Sequence, residues 1–372
     1  MITLPTDFVP LERSNSPHLD SILGYRFPML DGQGFVAVMD YLGTDAAIVQ
    51  AARTSYGKGT KKLNEDRGLI RFLFRHLHTT PVEMCELKLF IKCPMDLWRQ
   101  WIRHRTASVN EYSTRYSEAL EETAMTAVDQ WRLQSGGNKQ GSTGTLLEWP
   151  DNDEWEDEKA IHATPGGYLS AEEAGLHDDG KAIYQTRLRL GVAREQARKD
   201  LSLSTYTMAY WKIDLHNLFH FLALRMDAHA QQEIRDYATI IGEEIVAGWV
   251  PTAWEAFNDY HFRRGAMILT RLEKELIQMI HAYGAMSAKI PHAMSENAVL
   301  NVARRFGWME YGKKVRPCPC PDTKLLPKGY LCTICNSTDK VVKLKRNRER
   351  AEAEVKLEEL GLEIPWQEFK AA

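Results

Sequence analysis

The sequence predicts a globular protein of mixed helix and strand content, and three stretches predict it. Residues 34–42 are a short apolar run of strand length. Residues 85–92 alternate, with Cys85, Leu87, Leu89 and Ile91 on one side and Glu86, Lys88 and Lys92 on the other, the period of a half-buried strand. Asp214 is placed to cap a helix over 215–224 that ends near Arg225. At 372 residues the chain can bury a large core, as one large domain or two.

Each element has a local reason. Residues 1–30, rich in Pro, Ser and Asp, read as an irregular lead-in. Thr44 is placed to cap a helix over 45–53, and the Gly-containing stretch 55–59 ends it as a polar loop. Asn64 can cap a second helix with Leu69, Ile70, Leu73 and Leu77 on one side, broken by residues 76–81. Pro94 starts a helix over 95–103 that puts Leu97, Trp98, Trp101 and Ile102 in the core. Asn110, Ser113 and Thr114 favour irregular backbone after it. Residues 131–180 read as a long excursion, small and polar over 134–142 and acidic over 150–158, either a lid or mobile loop or a tolerated insertion. Helix signals return at Ala171, and residues 205–211 read as a strand or extended turn. Asp227 can cap a helix from 228 to about 248, which Pro251 stops. Helices are expected over 266–283, 295–308 and, strongly charged, 341–360. The changes in character divide the chain into 1–265, a helical extension over 266–315, and a cysteine-bearing segment with a charged helix over 316–372.

Hydrophobic residues make up 44% of the chain and charged residues 26%, ordinary for a soluble globular protein. The formal charge of −3 gives no global signal for nucleic acid or a membrane surface. No apolar run approaches the roughly 20 residues that span a bilayer. The N-terminus lacks a basic stretch followed by an apolar one, so no signal peptide is expected and the cytoplasm is the expected compartment.

The densest functional chemistry lies in Arg103-His104-Arg105-Thr106-Ala107-Ser108-Val109-Asn110-Glu111-Tyr112-Ser113-Thr114-Arg115-Tyr116. Its cations are arginines, whose planar fork matches phosphate and carboxylate oxygens. Glu111 alone cannot neutralise Arg103, Arg105 and Arg115, which points to an anion-binding segment rather than a set of internal ion pairs. A second constellation is Asp214, His216, His220, Leu224 and Arg225, followed by His229 and Gln231. His216 and His220 share a helix face and can serve a ligand, pack as core histidines, or bind Zn²⁺, although the Glu of a His-Glu-x-x-His hydrolase motif is missing. Arg53, Arg198 and Arg225 are scattered arginines that by themselves read as ion-pair partners. There is no dinucleotide-binding Gly-x-Gly-x-x-Gly after a strand, no P-loop and no serine nucleophile elbow.

Cys318, Cys320, Cys332 and Cys335 form two short-spaced pairs across a Pro/Gly-containing loop, which fits a structural tetrahedral Zn²⁺ knuckle. Four thiolates would leave no open position for catalysis. The basic run 343–350 reads as a solvated helix face or a contact to nucleic acid.

Arg103-His104-Arg105-x-x-Ser108-x-Asn110-Glu111-x-Ser113-x-Arg115 resembles the signature of the flavin-dependent thymidylate synthases. Satellite matches lie in order around it: Ala51-Ala52-Arg53-Thr54-Ser55, His78-Thr79-Thr80-Pro81-x-Glu83, Gln100, Ala197-Arg198, Leu224-Arg225 and His229-Ala230-Gln231. The likeness covers about residues 30 to 262. It implies an α+β fold, with a helical part beside a mixed sheet. It implies a homotetramer with active sites between subunits that makes dTMP from dUMP with FAD, NADPH and methylene-tetrahydrofolate. Gln100, Arg103, Glu111, Ser113, Arg115, Arg198 and Arg225 would hold dUMP. Ser55, His78, Thr80, Glu83, Arg103, His104, Arg105, Asn110, Glu111, Asp214, His216, His220, Leu224 and His229 would line the flavin. The alternatives are a related pyrimidine-modifying enzyme, or a catalytically altered scaffold whose tail binds nucleic acid.

Methylating a uracil carbon requires making it nucleophilic. The chain has no Pro-Cys-His context for covalent attack by cysteine, and Cys85 and Cys93 read as inward residues of a strand. Guanidiniums, Arg115 first, would instead stabilise the enolate-like charge on a uracil carbonyl. Ser113 has no base in the motif to activate it, so it is expected to donate a hydrogen bond to the nucleotide rather than to attack. Arg115, Ser113 and Glu111 are thus the expected catalytic group.

Overall fold

The computed structural model describes residues 14–54, 66–136, 141–151, 153–262, 267, 269–271, 273–278, 309–311, 342–344 and 348–362. The chain forms two units, Met1–Arg264 and Gly265–Ala372. In the first, α1 (Pro17–Ile22), β1 (Phe27–Met29), β2 (Gly34–Leu42), α2 (Asp45–Thr54) and α3 (Asp66–Arg75) lead to β3 (Glu86–Pro94), α4 (Met95–Trp101) and β4 (Ser108–Glu111). A hairpin of β5 (Arg132–Gln134) and β6 (Ser142–Thr145) precedes α5 (Glu156–Ile161), α6 (Pro165–Arg189) and α7 (Arg194–Ala197). Then come β7 (Tyr206–Asp214), α8 (Leu215–Arg225), α9 (Gln232–Ile240), α10 (Ala247–Trp249) and α11 (Pro251–Phe257). The segment Ile241–Val246 between α9 and α10 is wound as a π-helix.

Five strands form one sheet in the order β1-β2-β3-β7-β4. Neighbouring strands run antiparallel; the parallel contact among the described residues is the isolated bridge from Leu23 to Val38. The unit is therefore α+β. Strands β3 and β7 form its centre, pairing without a shift from Glu86 opposite Asp214 to Pro94 opposite Tyr206. Their alternation decides which face is buried. Leu87, Leu89 and Ile91 of β3 and Ala209, Trp211 and Ile213 of β7 are buried, while Phe90 and Tyr210 stack on the other face at 4.8 Å.

The buried face meets an aromatic cluster that sits behind the Arg-His-Arg segment. Trp101, the last residue of α4, is fully buried. Its ring lies 5.4 Å from Trp211, 4.9 Å from Phe221 and 5.8 Å from Tyr237, centroid to centroid. Rings at these separations add to the area they bury. The cluster fixes where α4 ends and so where Arg103 begins. Asp214 caps α8 by accepting from the Asn217 backbone N–H at 3.0 Å.

Several expectations need correction. Ile102 is 43% exposed and Leu77 is 70% exposed. Ile102 lies past the end of α4, and Leu77 lies past α3 with φ at 58°, where the chain turns its side chain outward. Lys92 is buried, not outward: its Nζ donates to Glu122 Oε1 at 3.0 Å and lies 5.2 Å from the Tyr206 ring centroid. Asn110 lies in β4, since this edge strand pairs with β7. The 131–180 excursion holds the hairpin, α5 and most of α6, and α6 begins at Pro165 rather than at Ala171. Thr164 caps it by accepting from the Gly167 N–H at 3.1 Å, with Pro165 at the first helical position. Asp227 caps no helix start: it accepts from the His229 N–H at 2.8 Å, and α9 begins at Gln232. The helical run does end just before Pro251, at Trp249, and Pro251 also opens α11.

In the second unit, residues 271 and 273–278 are helical. A reciprocal capping box opens this helix: Glu273 Oε2 accepts from the Thr270 N–H at 2.7 Å, and Thr270 Oγ1 accepts from the Glu273 N–H at 3.2 Å. Met309–Tyr311 pairs antiparallel with Val342–Leu344. That strand and the later helix Arg348–Glu359 replace the single helix expected over 341–360. Residues 295–308 and Cys318, Cys320, Cys332 and Cys335 lie outside the described residues. No helix among the described residues is long and apolar enough to cross a membrane.

Candidate active site

Burial of Trp101 pulls the chain exit inward, and the next residues close a tight turn. The His104 N–H donates to Trp101 O at 3.0 Å. Arg103 and Arg105 are exposed on either side of the half-buried His104. Across from them runs α8, and between them lies a cleft of about 280 Å³. Arg103, His104, Arg105 and Thr106 form one wall; Asn217, His220, Leu224 and Arg225 form the other, with Ile213 at the base of α8. Asn217, His220 and Leu224 share a face because they are spaced three and four apart.

The electrostatics of the cleft are one-sided. No carboxylate lines it, and Arg103 and Arg105 make no ion pair with any described residue. Arg225 is held instead by neutral acceptors. Its Nη2 donates to Gln100 O at 3.2 Å and its Nε donates to His104 Nε2 at 3.1 Å. Burial lowers the Arg225 pKa, yet a guanidinium stays charged near neutral pH. His104 therefore accepts at Nε2, which makes it the neutral Nδ1–H tautomer. Burial first, then the Arg225 charge and His220, push its pKa down to about 4. The result is a cationic, carboxylate-free cleft with a neutral imidazole in its wall.

A second group forms where β4 leaves the sheet. Glu111 Oε1 accepts from Thr207 Oγ1 at 2.9 Å. The Tyr112 N–H donates to Met208 O at 2.7 Å. Ser113 Oγ accepts from the Arg115 N–H at 3.4 Å, and Thr114 Oγ1 accepts from Arg198 Nη1 at 2.6 Å. Arg115 makes a loose contact of 3.7 Å with Glu195, both 57% exposed. Arg115 lies on the loop after β4, and Arg198, just after α7, reaches that loop at Thr114; neither lines the cleft.

The remaining expected residues are spread out. Asp214 is committed to the cap of α8 and also accepts from Asn217 Nδ2 at 2.7 Å. His216 is the second residue of α8, roughly 14 Å along the axis from Arg225 at 1.5 Å per residue, so a ligand touching both must be elongated. Among the described residues, no group of three or more His, Cys, Asp or Glu side chains that could hold a metal includes His216 and His220. His78 lies exposed beside Phe72 at 5.6 Å, Thr80 precedes the short turn Val82–Met84 and Glu83 lies within it, and none of the three lines the cleft. His229 is exposed and bonded to Asp227 Oδ1 at 2.7 Å. Arg53 pairs with Asp66. Ser55 lies outside the described residues. Sequence reading gave no site role to Thr106, Ile213 or Asn217 of the lining, and it singled out Gln231 without its partner: Gln231 Oε1 accepts from Gln100 Nε2 at 2.5 Å. The helical spacing of Asn217 with His220 and Leu224 was a usable signal; the Gln100–Gln231 pair is tertiary and left none.

The donor set fits an anionic group of the kind a dinucleotide or nucleotide carries. Two unpaired guanidiniums face outward and a third is fixed behind them, with no carboxylate to compete.

Comparison with known proteins gives the same direction. Residues 37–252 match the family model described as thymidylate synthase complementing protein. The chain is 49% identical over 261 residues to the flavin-dependent thymidylate synthase of Ruegeria pomeroyi, covering 70% of this chain and 82% of that protein. It is 46% identical over 272 residues to the flavin-dependent thymidylate synthase of Rickettsia conorii, covering 70% of this chain and 90% of that protein. The crystal structure of the UMP/dUMP methylase PolB from Streptomyces cacaoi bound with 5-Br dUMP aligns with a TM-score of 0.52 at 27% identity, over 63% of this chain and 99% of that one. With its signature segment folded against α8 and well over half its length matched, this chain belongs to the flavin-dependent thymidylate synthase family.

Proposed function

We propose that the protein forms dTMP from dUMP, taking the one-carbon unit from methylene-tetrahydrofolate and depending on FAD and NADPH. The observation that carries this reading is the carboxylate-free cleft built by Arg103, His104 and Arg105 against Arg225, in a member of this family. Bound flavin would supply the reducing equivalents. Arg103, Arg105 and neutral His104, with Asn110, His220 and Leu224, would hold it; Ser55, His78, Thr80, Glu83, Glu111, Asp214, His216 and His229 complete the family's set. Gln100, Arg103, Glu111, Ser113, Arg115, Arg198 and Arg225 would hold dUMP.

The residues' own chemistry supports activation without a cysteine. Cys85 and Cys93 are fully buried. Burial pushes the Cys85 thiol up to about 12 and raises that of Cys93 well above its ordinary value. Neither is a usable thiolate at neutral pH. Arg115 is loosely held by Glu195, so its guanidinium is free to exchange that contact for a carbonyl or phosphate oxygen. A guanidinium against a uracil carbonyl stabilises the charge that develops there when the ring carbon attacks. Ser113 and Glu111 would position the nucleotide by hydrogen bonds.

Arg115 and Arg198 lie outside the cleft of the same protomer, which supports a homotetramer whose active sites are completed between subunits. The expected setting is the cytoplasm. The spacing of Cys318, Cys320, Cys332 and Cys335 supports a structural Zn²⁺ in the tail; zinc content of the wild type and of Cys332→Ser tests it. The purified protein should carry a flavin absorption spectrum and yield dTMP from dUMP, methylene-tetrahydrofolate and NADPH. A protein that takes up no added flavin and yields no dTMP sinks the reading. A steeply salt-dependent affinity for DNA or RNA would instead favour the nucleic-acid role of the basic run.

A further inference from the structure

We propose that Arg132, on β5 and outside the cleft, is a positioning residue for Gln100 and Arg225, acting through Glu233 and Gln231. The inference rests on the reading that these two residues face the nucleotide. Two sets of polar contacts, joined through the start of α9, link them. Arg132 Nη2 donates to Glu233 Oε1, and both side chains are about three-quarters buried, at 26% and 27% exposure. Gln231 immediately precedes α9, and its Oε1 accepts from Gln100 Nε2 at 2.5 Å. Gln100 O in turn accepts from Arg225 Nη2 at 3.2 Å, and Arg225 reaches His104 at 3.1 Å.

Charge explains why the chain needs Arg132. Glu233 lies in the first turn of α9, where the helix N-terminus favours a carboxylate. Its Oε2 is buried with no hydrogen-bond partner, so Arg132 supplies its main compensation. Asp96, in the first turn of α4, lies near enough to feel the Glu233 charge. Burial raises its pKa, and the Glu233 charge adds to that rise. The Gln231 amide works against the rise at Asp96 and also lowers the pKa of Glu233.

Two carboxylates can only accept, so any hydrogen bond that Gln231 gives to either must come from its amide nitrogen. That leaves Gln231 Oε1 for Gln100, which commits Gln100 Nε2 and leaves Gln100 Oε1 as an acceptor toward a ligand N–H or O–H. Arg132 thus fixes an amide orientation two residues away. Without it, Asp96 and Glu233 repel across Gln231. The pair must then take up a proton, or the start of α9 must move toward water. Either outcome loosens Gln231 and with it Gln100. Arg132 is itself held from the α6 side: the neighbouring Trp131 Nε1 donates to Ser170 Oγ at 3.0 Å.

The test compares wild type, Arg132→Met, Arg132→Lys and Glu233→Gln in dUMP binding by calorimetry and in steady-state turnover. In Arg132→Met the dUMP Kd and KM should rise about tenfold while kcat falls less than about threefold, the pattern of lost positioning in binding. The rise should grow with pH, as the unpaired carboxylates ionise together. Arg132→Lys should recover most of the affinity, and Glu233→Gln should lose less and show no such pH trend. In a Gln100→Ala background, Arg132→Met should add nothing further. Unchanged dUMP affinity in Arg132→Met, or full additivity with Gln100→Ala, overturns the proposal. If Arg132→Met does not fold, Glu233→Gln and Arg132→Lys decide alone: a tenfold loss in both would mean a packing role and overturn it. Failure of the wild type to bind dUMP would count against the proposed function, separately from any variant.

Discussion

Acidification should destabilise the folded protein through His104, by an amount that can be worked out. Its pKa is pushed down to about 4, by burial first, then by Arg225 and His220, from an ordinary value of 6.5. A lowered histidine pKa means the unfolded chain binds the proton more readily. Its contribution to stability is therefore fully present above about pH 6.5, declines as pH falls, and is exhausted below about pH 4. Between pH 7.5 and pH 5 the two pKa values give about 2 kcal/mol in full burial, and solvent screening of a half-buried ring reduces that toward 1 kcal/mol. His104→Gln keeps a polar side chain of similar size that does not titrate. Urea unfolding of both proteins, at one protein concentration and at both pH values, isolates the difference. The wild type should lose roughly 1–2 kcal/mol more than the variant on acidification. Equal losses would refute the reasoning, as would a His104 ring that titrates near 6.5 by NMR, because the contact from Arg225 Nε could not persist to an imidazolium.

Other consequences can be checked directly. Arg103→Ala and Arg105→Ala should each weaken binding of an anionic ligand about tenfold at low salt and flatten its salt dependence; an unchanged salt slope would mean that neither guanidinium meets an anion. In the folded protein, Cys85 and Cys93 should resist alkylation at pH 8 and become labelled only on unfolding, as read from the modified peptides by mass spectrometry. Asp45 accepts from the Thr252 and Ala253 N–H groups at 2.8 and 3.0 Å at the start of α11. Asp45→Ala should therefore cost about 1–2 kcal/mol in unfolding free energy, and Asp45→Asn less; no loss in the alanine variant would mean that water replaces the cap.

Local rules carried much of the fold. The alternation of Cys85, Leu87, Leu89 and Ile91 located β3, and the Asp214 cap located α8, because both signals lie within a few residues of the element they specify. The rule failed at Lys92, whose charge reads as outward but whose ammonium finds Glu122 some thirty positions away in sequence. It failed at α6 because Gly166 and Gly167 masked a start that Thr164 and Pro165 announce. At the site, the excess of arginine over carboxylate was legible in the motif, and the structure supplied the wall opposite it, the hydrogen bond that makes His104 an acceptor and the separation of Arg115 from the cleft. Gln231 and Glu233 gain their meaning only from side chains more than a hundred positions upstream, Gln100 and Arg132.

Strand β4 also constrains how the signature can change. Because it runs as a strand against β7, Val109 and Glu111 present to one side of the sheet and Ser108 and Asn110 to the other. Inserting or deleting one residue between Arg105 and Glu111 would exchange those sides at a stroke and carry Glu111 away from Thr207. Point substitutions there alter one contact each; a change of length would rewire the whole segment. Among relatives, drift in this stretch should consist of substitutions at constant length, with insertions accommodated on the far side of Tyr116, where the hairpin and α5 lie outside the sheet.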